Sequence, residues 1–354
     1  MTRVLALNCG SSSLKYALFA GERAVVRAEV ERVTDQAAAV ATALDALAAR
    51  GEAAPDLVGH RVVHGGPDRD RPARIDAALL AELRGRIPFA PEHLPAELAA
   101  IAAVAARWPT VPQVACFDTA FHRTLPDVAQ RYPLPDELYA RGVRRYGYHG
   151  LSYDHVVHAL TPRVLGRAVI AHLGHGASLV AIRDGRAVDT TMGLTPTGGL
   201  VMGTRTGDLD PGVPLYLLAQ GHDAASLARL VQHDGGLQAL GGSSDMRDLL
   251  ARRGDDPRAA RAVAAFVASA QKAIGALVTT IGGLDALVFT GGIGARSPVI
   301  RAEIAAALAH LGVTLAPLAN EASAPVISAP GATCTVHVIP ADEEAAIARL
   351  SSTA

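Results

Sequence analysis

The chain has 354 residues, of which half are hydrophobic, so it can bury two cores of ordinary domain size. Its net charge of −1 argues against a surface that binds nucleic acid or another polyanion. The three cysteines lack paired or metal-type spacing and lie in or beside apolar runs, which is typical of buried thiols in a reducing compartment. No signal-peptide pattern precedes the first apolar run, and polar residues interrupt the longest apolar stretch, 259–281, so we expect a cytoplasmic protein with no membrane contact.

Apolar periodicity and turn residues predict alternating strands and helices. In the first half these are a hairpin over 4–19, a strand over 57–63, a helix over 94–108 and a strand over 114–118. The second half is predicted to hold a helix over 151–165, a hairpin over 169–182, a loop over 190–214, a helix over 257–281, a strand over 284–290, a turn over 291–294, a helix over 297–311 and a helix over 341–350. This alternation is typical of the α/β class.

The turn of the first hairpin has the composition of a phosphate-binding loop. Gly10 lets backbone N–H groups approach an anion closely, Ser11 and Ser13 offer hydroxyl donors, and Lys15 supplies a positive charge. It is not a Walker loop, because the G-x-x-x-x-G-K-[ST] pattern is absent and a strand follows the turn. The sequence therefore predicts nucleotide handling.

The same hairpin pattern recurs in the second half of the chain. Ser13-Leu14 of the first hairpin aligns with Ser178-Leu179 of the second. We interpret the chain as a duplication, with chance similarity of apolar runs as the alternative. We expect one domain over residues 1–148 and another over 149–342, with a C-terminal helix over 343–354 that packs back on the first.

Five motifs, in this order, resemble those of the acetate kinases: Asn8–Lys15, Gly59–Gly66, Phe117–His122, Tyr146–Gly150 and Met202–Arg205. The resemblance runs from about residue 3 to residue 350. It implies two duplicated ribonuclease-H-like domains of the acetate and sugar kinase, heat-shock and actin superfamily, with an interdomain cleft. It also implies reversible phosphoryl transfer from ATP to acetate, with ATP or ADP as co-substrate, Mg²⁺ or Mn²⁺ as cofactor, and a homodimer.

The resemblance implies roles for individual side chains. Arg61 matches the residue that contacts the acyl carboxylate, Arg205 the one that stabilises the transferring phosphoryl group, and His149 a histidine that stabilises the transition state. Cationic groups are needed there because the transfer brings two anions together. The positions expected to shape the acyl pocket are Val63, Tyr148 and Pro196.

Asp118 matches an essential aspartate and ends a predicted buried strand. An unpaired carboxylate there would be costly, so we expect it to have a cationic partner. An acceptor acid with an ordinary pKa is already ionised at neutral pH and needs no base. We therefore expect Asp118 to orient an arginine or the hydrated magnesium. Asn8 and Glu343 offer the oxygen ligands that Mg²⁺ favours, and they match the family's metal positions.

The nucleotide site is expected on the hairpin turns and on glycine-rich loops. Lys15, Ser11 and Ser13 would face phosphates together with the turn of the second hairpin, and two further segments would surround the nucleoside. These segments are His172, Leu173, Gly174, His175 and Gly176 in the turn, then Asp245, Met246 and Arg247, and finally Gly292, Ile293, Gly294, Ala295 and Arg296.

Four departures from the family's usual residues leave alternatives open. Glu92 and Tyr148 add polarity near the expected acyl pocket, so an acceptor larger or more polar than acetate is an alternative. A propionate or butyrate kinase is the nearest rival to an acetate kinase. His175 and Arg296 leave another donor, such as pyrophosphate, as an alternative to ATP. A nucleotide-gated scaffold of the same fold is an alternative from a different class, although the retained motif residues argue against it.

Overall fold

The computed structural model describes residues 2–10, 13–31, 33–161 and 166–354, which form two β-sheets and the helices packed on them. The strands are β1 (Arg3–Cys9), β2 (Ser13–Ala20), β3 (Arg23–Glu31), β4 (Leu57–Val62), β5 (Ala73–Arg74), β6 (Gln113–Phe117), β7 (Arg167–Leu173), β8 (Ala177–Arg183), β9 (Arg186–Thr190), β10 (Ala286–Thr290) and β11 (Thr335–Val338). The helices are α1 (Gln36–Ala49), α2 (Ala77–Gly85), α3 (Leu94–Arg107), α4 (Asp127–Gln130), α5 (Asp136–Ala140), α6 (Gly150–Leu160), α7 (Gly212–Ala219), α8 (Ala224–Gln232), α9 (Gly236–Gly241), α10 (Met246–Arg252), α11 (Pro257–Ile281), α12 (Gly291–Arg296), α13 (Pro298–Ala306), α14 (Pro317–Glu321) and α15 (Glu343–Ser351).

Contacts divide the chain into two compact units. Unit 1 comprises Met1–Arg123, Tyr148–His155 and Asp342–Ala354, and unit 2 comprises Thr124–Gly147 and Val156–Ala341. The first sheet, β1 to β6, lies in unit 1, and the second, β7 to β11, lies in unit 2.

The sheet of unit 1 has the strand order β3-β2-β1-β4-β6-β5. Strands β1, β2 and β3 pair antiparallel, whereas β1, β4 and β6 run parallel. Leu5 and Leu7 pack in a core with α1 and α3, and Val4 and Ala6 pack with α15. Because helices cover both faces, β1 is a nearly continuous apolar run.

The sheet of unit 2 repeats this arrangement. Its order is β9-β8-β7-β10-β11, with β7, β8 and β9 antiparallel and β7, β10 and β11 parallel. The duplication predicted from the two hairpins is therefore confirmed at the level of strand order and direction. The three cysteines, Cys9, Cys116 and Cys334, are buried free thiols, as predicted.

Helix α11 is the longest helix among the described residues. By length and composition alone it is apolar enough to cross a membrane. One of its faces is buried, however, and packs against β7, β8 and α9 of unit 2. This packing is that of the core helix of an α/β unit.

The predicted helix over 297–311 and the turn before it differ from the structure. Residues 291–296 form the short helix α12, and Ser297 then caps α13 by accepting a hydrogen bond from the Ile300 N–H. Pro298 favours this new start because it occupies the first turn of α13. The helix α6 ends at Leu160, and residues 162–165 of the predicted 151–165 helix lie outside the described residues.

Candidate active site

Three parallel strands of unit 1 carry polar side chains at their carboxyl ends. Asn8 lies near the end of β1, Arg61 near the end of β4, and Asp118 directly follows β6. Neighbouring parallel strands end at the same edge of a sheet, where ligand sites of α/β folds form. Side chains from α3 and α15 join them there. We call the following six residues the polar cluster: Asn8, Arg61, Glu97, Asp118, Glu343 and Glu344.

Arg61 and Asp118 form the central ion pair of the polar cluster. Nε and Nη2 of Arg61 donate to Oδ2 of Asp118 at 3.0 and 2.6 Å, and Asp118 is fully buried. Burial raises the pKa of the Asp118 carboxyl, Arg61 opposes that shift, and Glu343 adds to it. Asp118 thus has the cationic partner expected from the sequence, and it holds the guanidinium in one orientation.

Asn8 connects β1 to the start of α15. Its Nδ2 donates to Glu343 Oε2 and Glu344 Oε1, both at 2.8 Å, and its Oδ1 accepts from Arg61 Nη1 at 3.4 Å. The helix is anchored further by Asp342, which caps it and forms an ion pair with Arg27 of β3 at 2.6 Å. Asn8 and Glu343, the two predicted metal-site residues, therefore lie in direct contact.

The chemistry of the polar cluster fits a hydrated magnesium ion. Oδ1 of Asp118 is buried and has no hydrogen-bond donor among the described residues. The carboxyl and amide oxygens around it are of the kind that Mg²⁺ prefers. No group of three or more His, Cys, Asp or Glu side chains within the described part of the chain is arranged to hold a metal alone. Mg²⁺ is commonly bound by one or two carboxylates together with water and substrate phosphate.

The predicted catalytic histidine occupies a strained corner. His149 has φ of +58°, a left-handed conformation that is uncommon for a residue with a side chain. The next residue, Gly150, donates its N–H to the carbonyl oxygen of Asp118 at 3.0 Å, and an added Cβ would overlap that oxygen. On the other side, Nε2 of His122 hydrogen-bonds the Tyr148 carbonyl at 3.0 Å. The backbone that carries His149 is therefore fixed from both sides.

Two of the three predicted pocket residues lie in unit 1. Val63 directly follows β4 and is buried, and so is Tyr148. The ring centroid of Tyr148 lies 6.2 Å from that of His64. Glu92, one of the departures from the family pattern, is exposed rather than buried with them.

Sequence reasoning missed Glu97, which lies in α3 and is 2% exposed. Both of its carboxyl oxygens lie within hydrogen-bond distance of the Val63 backbone N, at 3.0 and 3.2 Å. Burial raises the pKa of Glu97 to about 8, although Arg61 and the Val63 N–H oppose the shift. The sequence does indicate that Glu97 is buried, because this residue lies on the apolar face of α3 between Leu94 and Ile101.

The turn of the first hairpin is closed by a hydrogen bond from the Gly10 N–H to the Ser13 carbonyl at 2.8 Å. Gln36, which opens α1 and was also missed, donates from Nε2 to the Gly10 carbonyl at 2.9 Å. Lys15 is exposed and lies opposite Asn8 in the β1–β2 register. Ser11 lies outside the described residues.

In unit 2, two predicted nucleotide segments lie together. His172 of β7 pairs with Thr290 of β10, so the turn 172–176 lies beside the start of α12. Gly291 has φ of +76°, and an added Cβ would lie 2.7 Å from the Leu173 carbonyl oxygen. Only glycine permits this close approach, which places the start of α12 beside the turn.

Arg205 and Pro196 also lie together in unit 2. Nη1 of Arg205 donates to the Pro196 carbonyl at 3.1 Å. The Gly203 N–H donates to the His175 carbonyl at 2.9 Å, which joins this loop to the 172–176 turn. Desolvation and the nearby Arg205 both lower the pKa of His175.

The third predicted nucleotide segment has a local structural role. Asp245 caps α10 by accepting from the Arg247 N–H at 2.8 Å, and its carboxylate forms an ion pair with the Arg247 guanidinium at 2.6 Å. The Arg247 side chain is 91% exposed, so this pair contributes little to stability. The side chain of Met246 is buried.

The chain resembles known proteins along nearly its whole length. A profile of the acetokinase family matches residues 21–349. The acetate kinase of Nitrobacter hamburgensis is 44% identical over 99% of this chain and 95% of its own length, and that of Rhizobium meliloti is 44% identical over 99% and 97%.

Two solved structures are similar over the whole fold. A propionate kinase from Francisella tularensis superposes with a TM-score of 0.94 at 32% identity over 100% of both chains. An acetate kinase from Porphyromonas gingivalis superposes with a TM-score of 0.90 at 34% identity, over 100% of this chain and 99% of that one.

Proposed function

Because the chain belongs to the acetokinase family, we propose that it transfers the γ-phosphoryl group of ATP directly to acetate, reversibly forming acetyl phosphate and ADP. The family and the fold class expected from the five motifs are confirmed. The chain is a phosphotransferase with a carboxyl group as acceptor.

The Arg61–Asp118 pair is the observation that carries the proposed chemistry. Arg61 binds the acceptor carboxylate, and Asp118 holds the guanidinium in place without exchanging a proton. Orientation matters because the attacking oxygen must approach the phosphorus in line with the leaving oxygen. Asn8 and Glu343 would hold Mg²⁺, which when bound neutralises charge on the phosphates.

We assign to His149 and Arg205 the role of stabilising the charge that develops during phosphoryl transfer. The backbone that carries His149 is fixed from both sides, which supports a preorganised position for a group that stabilises this charge. Arg205 would stabilise the transferring phosphoryl group, and it adjoins the 172–176 turn of the nucleotide site. In that site the close approach of Gly291 to Leu173 supports phosphate binding by backbone N–H groups. Lys15 is proposed as a further phosphate contact.

A second candidate acceptor is propionate. The structural similarity to a propionate kinase, with a TM-score of 0.94, supports it. Val63, Tyr148 and Pro196 are the positions whose bulk would select between the acids.

We also propose a homodimer in the cytoplasm. Five of the eleven exposed large hydrophobic side chains found among the described residues lie between positions 209 and 218, where α7 has no buried residue. Such a concentration is typical of a protein–protein interface, and a second copy of the chain is the occupant we assign to it. The three free thiols suit a reducing compartment.

A hydroxamate assay, which traps acyl phosphates, tests the reaction. Acids of two to five carbons would be combined with ATP, GTP and pyrophosphate at fixed magnesium. We expect the highest kcat/KM with acetate and ATP. Arg61→Gln should raise the KM for acetate strongly, whereas the exposed Arg71→Gln serves as a control without effect. Binding of ATP without acyl phosphate from any acid would favour the scaffold instead.

A further inference from the structure

Residues 191–211 of unit 2 connect β9 to α7 without forming a helix or a strand. This 191–211 loop carries Pro196 and Arg205, which the proposed function places at the acyl pocket and at the transferring phosphoryl group. Nη1 of Arg205 donates to the Pro196 carbonyl at 3.1 Å, so the direction of the guanidinium depends on where Pro196 lies. Because the loop has no regular hydrogen-bond ladder, individual contacts with its neighbours have to fix that position.

Tyr132, which lies between α4 and α5, provides one of these contacts. Its hydroxyl oxygen accepts a hydrogen bond from the Leu194 N–H at 2.8 Å. The carbonyl of Gly193 accepts from the Tyr146 N–H at 3.0 Å. The Gly193 carbonyl and the Leu194 N–H belong to the same planar peptide unit, so both of its polar groups are bonded to residues 124–147. This peptide unit lies two positions before Pro196, and its orientation is fixed from one side of the loop.

The 191–211 loop approaches the Tyr132 hydroxyl most closely at Gly193, which is buried. A Cβ added at Gly193 would overlap Oη of Tyr132, whereas it would lie 3.4 Å from the ring carbon Cζ, an ordinary contact distance. The hydroxyl group, rather than the ring, therefore leaves no room for a side chain at this position. Gly193 and the Tyr132 hydroxyl thus form one matched contact between the loop and residues 124–147.

We propose that Tyr132 is a positioning residue for phosphoryl transfer: its hydroxyl fixes the 193–194 peptide unit and, through the Pro196 carbonyl, the direction of the Arg205 guanidinium. This inference rests on the role proposed for Arg205 above. It requires no contact between Tyr132 and a substrate, and no proton is exchanged. Because Arg205 is assigned to charge that develops only during transfer, loss of the Tyr132 hydroxyl should lower kcat rather than raise KM.

Steady-state kinetics of Tyr132→Phe, which keeps the ring and removes the hydroxyl, test this inference. We expect kcat to fall about tenfold, which is the effect of one lost hydrogen bond near the upper end of its usual range. The KM for acetate and the KM for ATP should each stay within about twofold. Thermal unfolding confirms that the variant is folded at the assay temperature. An unchanged kcat would overturn the inference, and so would a rise in either KM without a fall in kcat.

Tyr139→Phe is the matched control, because it removes a hydroxyl from the same segment of unit 2. The Tyr139 hydroxyl donates to Gln130 Oε1 at 3.3 Å, within that segment. The ring, which the control keeps, lies 3.9 Å from the guanidinium carbons of Arg131 and Arg144. Tyr139→Phe should therefore have the kcat of the wild type.

Two double-mutant cycles test the path of the effect. In an Arg205→Lys background, Tyr132→Phe should cause no further fall in kcat, because the guanidinium that the hydroxyl directs is absent. Gly193→Ala should lower kcat in the wild type but have little effect in the Tyr132→Phe background, where the added methyl group has room. Effects on kcat that simply multiply in either cycle would overturn the inference. If Arg205→Lys has no measurable activity, the Gly193 cycle decides alone.

These experiments separate the inference from the proposed function. A wild type that forms no acyl phosphate contradicts the proposed function itself, and full kcat in Arg205→Lys contradicts the role assigned to Arg205. An active wild type whose kcat is unchanged by Tyr132→Phe contradicts only the role of Tyr132.

Discussion

Asp118 combines a buried charge with a single bonded partner, and this makes its replacement informative. In Asp118→Asn the amide keeps the shape of the side chain but loses the charge that holds Arg61. We expect phosphoryl transfer to fall by at least about a hundredfold, since the acceptor is no longer oriented. Nucleotide binding should remain within a few fold, because the main nucleotide loops belong to unit 2. Hydroxamate formation and calorimetric titration with ATP measure the two effects.

The matched control for this substitution is Asp70→Asn, which removes an exposed aspartate of unit 1. It should leave both measurements unchanged. Breaking a buried ion pair also destabilises a protein, typically by about 3 to 5 kcal/mol. Thermal unfolding of the Asp118 variant therefore has to confirm that it is folded at the assay temperature. If the folded variant loses ATP binding, Asp118 is not an orienting residue for Arg61.

At the scale of elements, the contact between the residue that follows β6 and the start of α6 depends on one glycine, Gly150. An alanine at Gly150 would place a methyl group against the Asp118 carbonyl and force the His149 corner away from the strand end. A displacement of about 1 Å at a reacting group can cost about a hundredfold in rate, and we expect a loss of that size in Gly150→Ala. Steady-state assays of the folded variant give the value.

Gly275 in α11 provides the comparison for that variant. An added Cβ there meets no atom within 4 Å, so Gly275→Ala should keep full activity. It should also stabilise the helix by about 0.5 to 1 kcal/mol, because alanine loses less backbone entropy on folding than glycine. Equal activity of the two alanine variants would show that the corner tolerates movement.

For the whole molecule, four buried groups of unit 1 contribute to the change in stability between pH 4 and 8. Burial lowers the pKa of His60, His64 and His122 to about 4, so stability that is complete above their ordinary value of 6.5 is lost as the pH falls towards 4. Glu97 acts in the opposite direction. Its folded state keeps a proton up to about pH 8 while the unfolded state releases it near 4.5, so its contribution is lost as the pH rises through 8.

The melting temperature should therefore be highest at about pH 6.5 to 7. Glu97→Gln should remove the decline on the alkaline side and make the rise on the acid side steeper, because ionisation of the unfolded-state Glu97 above pH 4.5 opposes that rise in the wild type. Scanning calorimetry over a pH series measures both. A wild-type melting temperature that keeps rising from pH 7 to 8.5 would contradict the assignment.

A substitution that introduces a charged side chain on α7 tests the proposed dimer. Tyr216 is 64% exposed, and a glutamate there would be buried without a partner in an interface between two copies. Tyr216→Glu should therefore be monomeric by light scattering at concentrations where the wild type is dimeric. Leu318→Glu is the control, because Leu318 is 86% exposed but lies away from α7 in sequence and should leave the dimer intact. A wild type that is itself monomeric contradicts the proposal.

Features that depend on residues close together in the sequence could be predicted from it, whereas features that depend on contacts between distant segments could not. The bounds of α11 and of the hairpins follow from apolar periodicity, and the ion-pair partner of Asp118 follows from the cost of a buried charge. Glu97 escaped prediction because its hydrogen bond joins α3 to the end of β4, and no local pattern encodes that contact. The helix α12 was missed for a similar reason, since glycines that read as a turn are held in a helix by β10 and Leu173.

Asn8 hydrogen-bonds to side chains 335 and 336 positions further along the chain. A ribosome that adds about 5 to 20 residues per second needs roughly 17 to 67 s to make that stretch. During this time the growing chain has Arg61 and Asp118 but no α15 to complete their surroundings. An interrupted or C-terminally degraded chain is therefore expected to lack phosphoryl-transfer activity even where it still binds nucleotide.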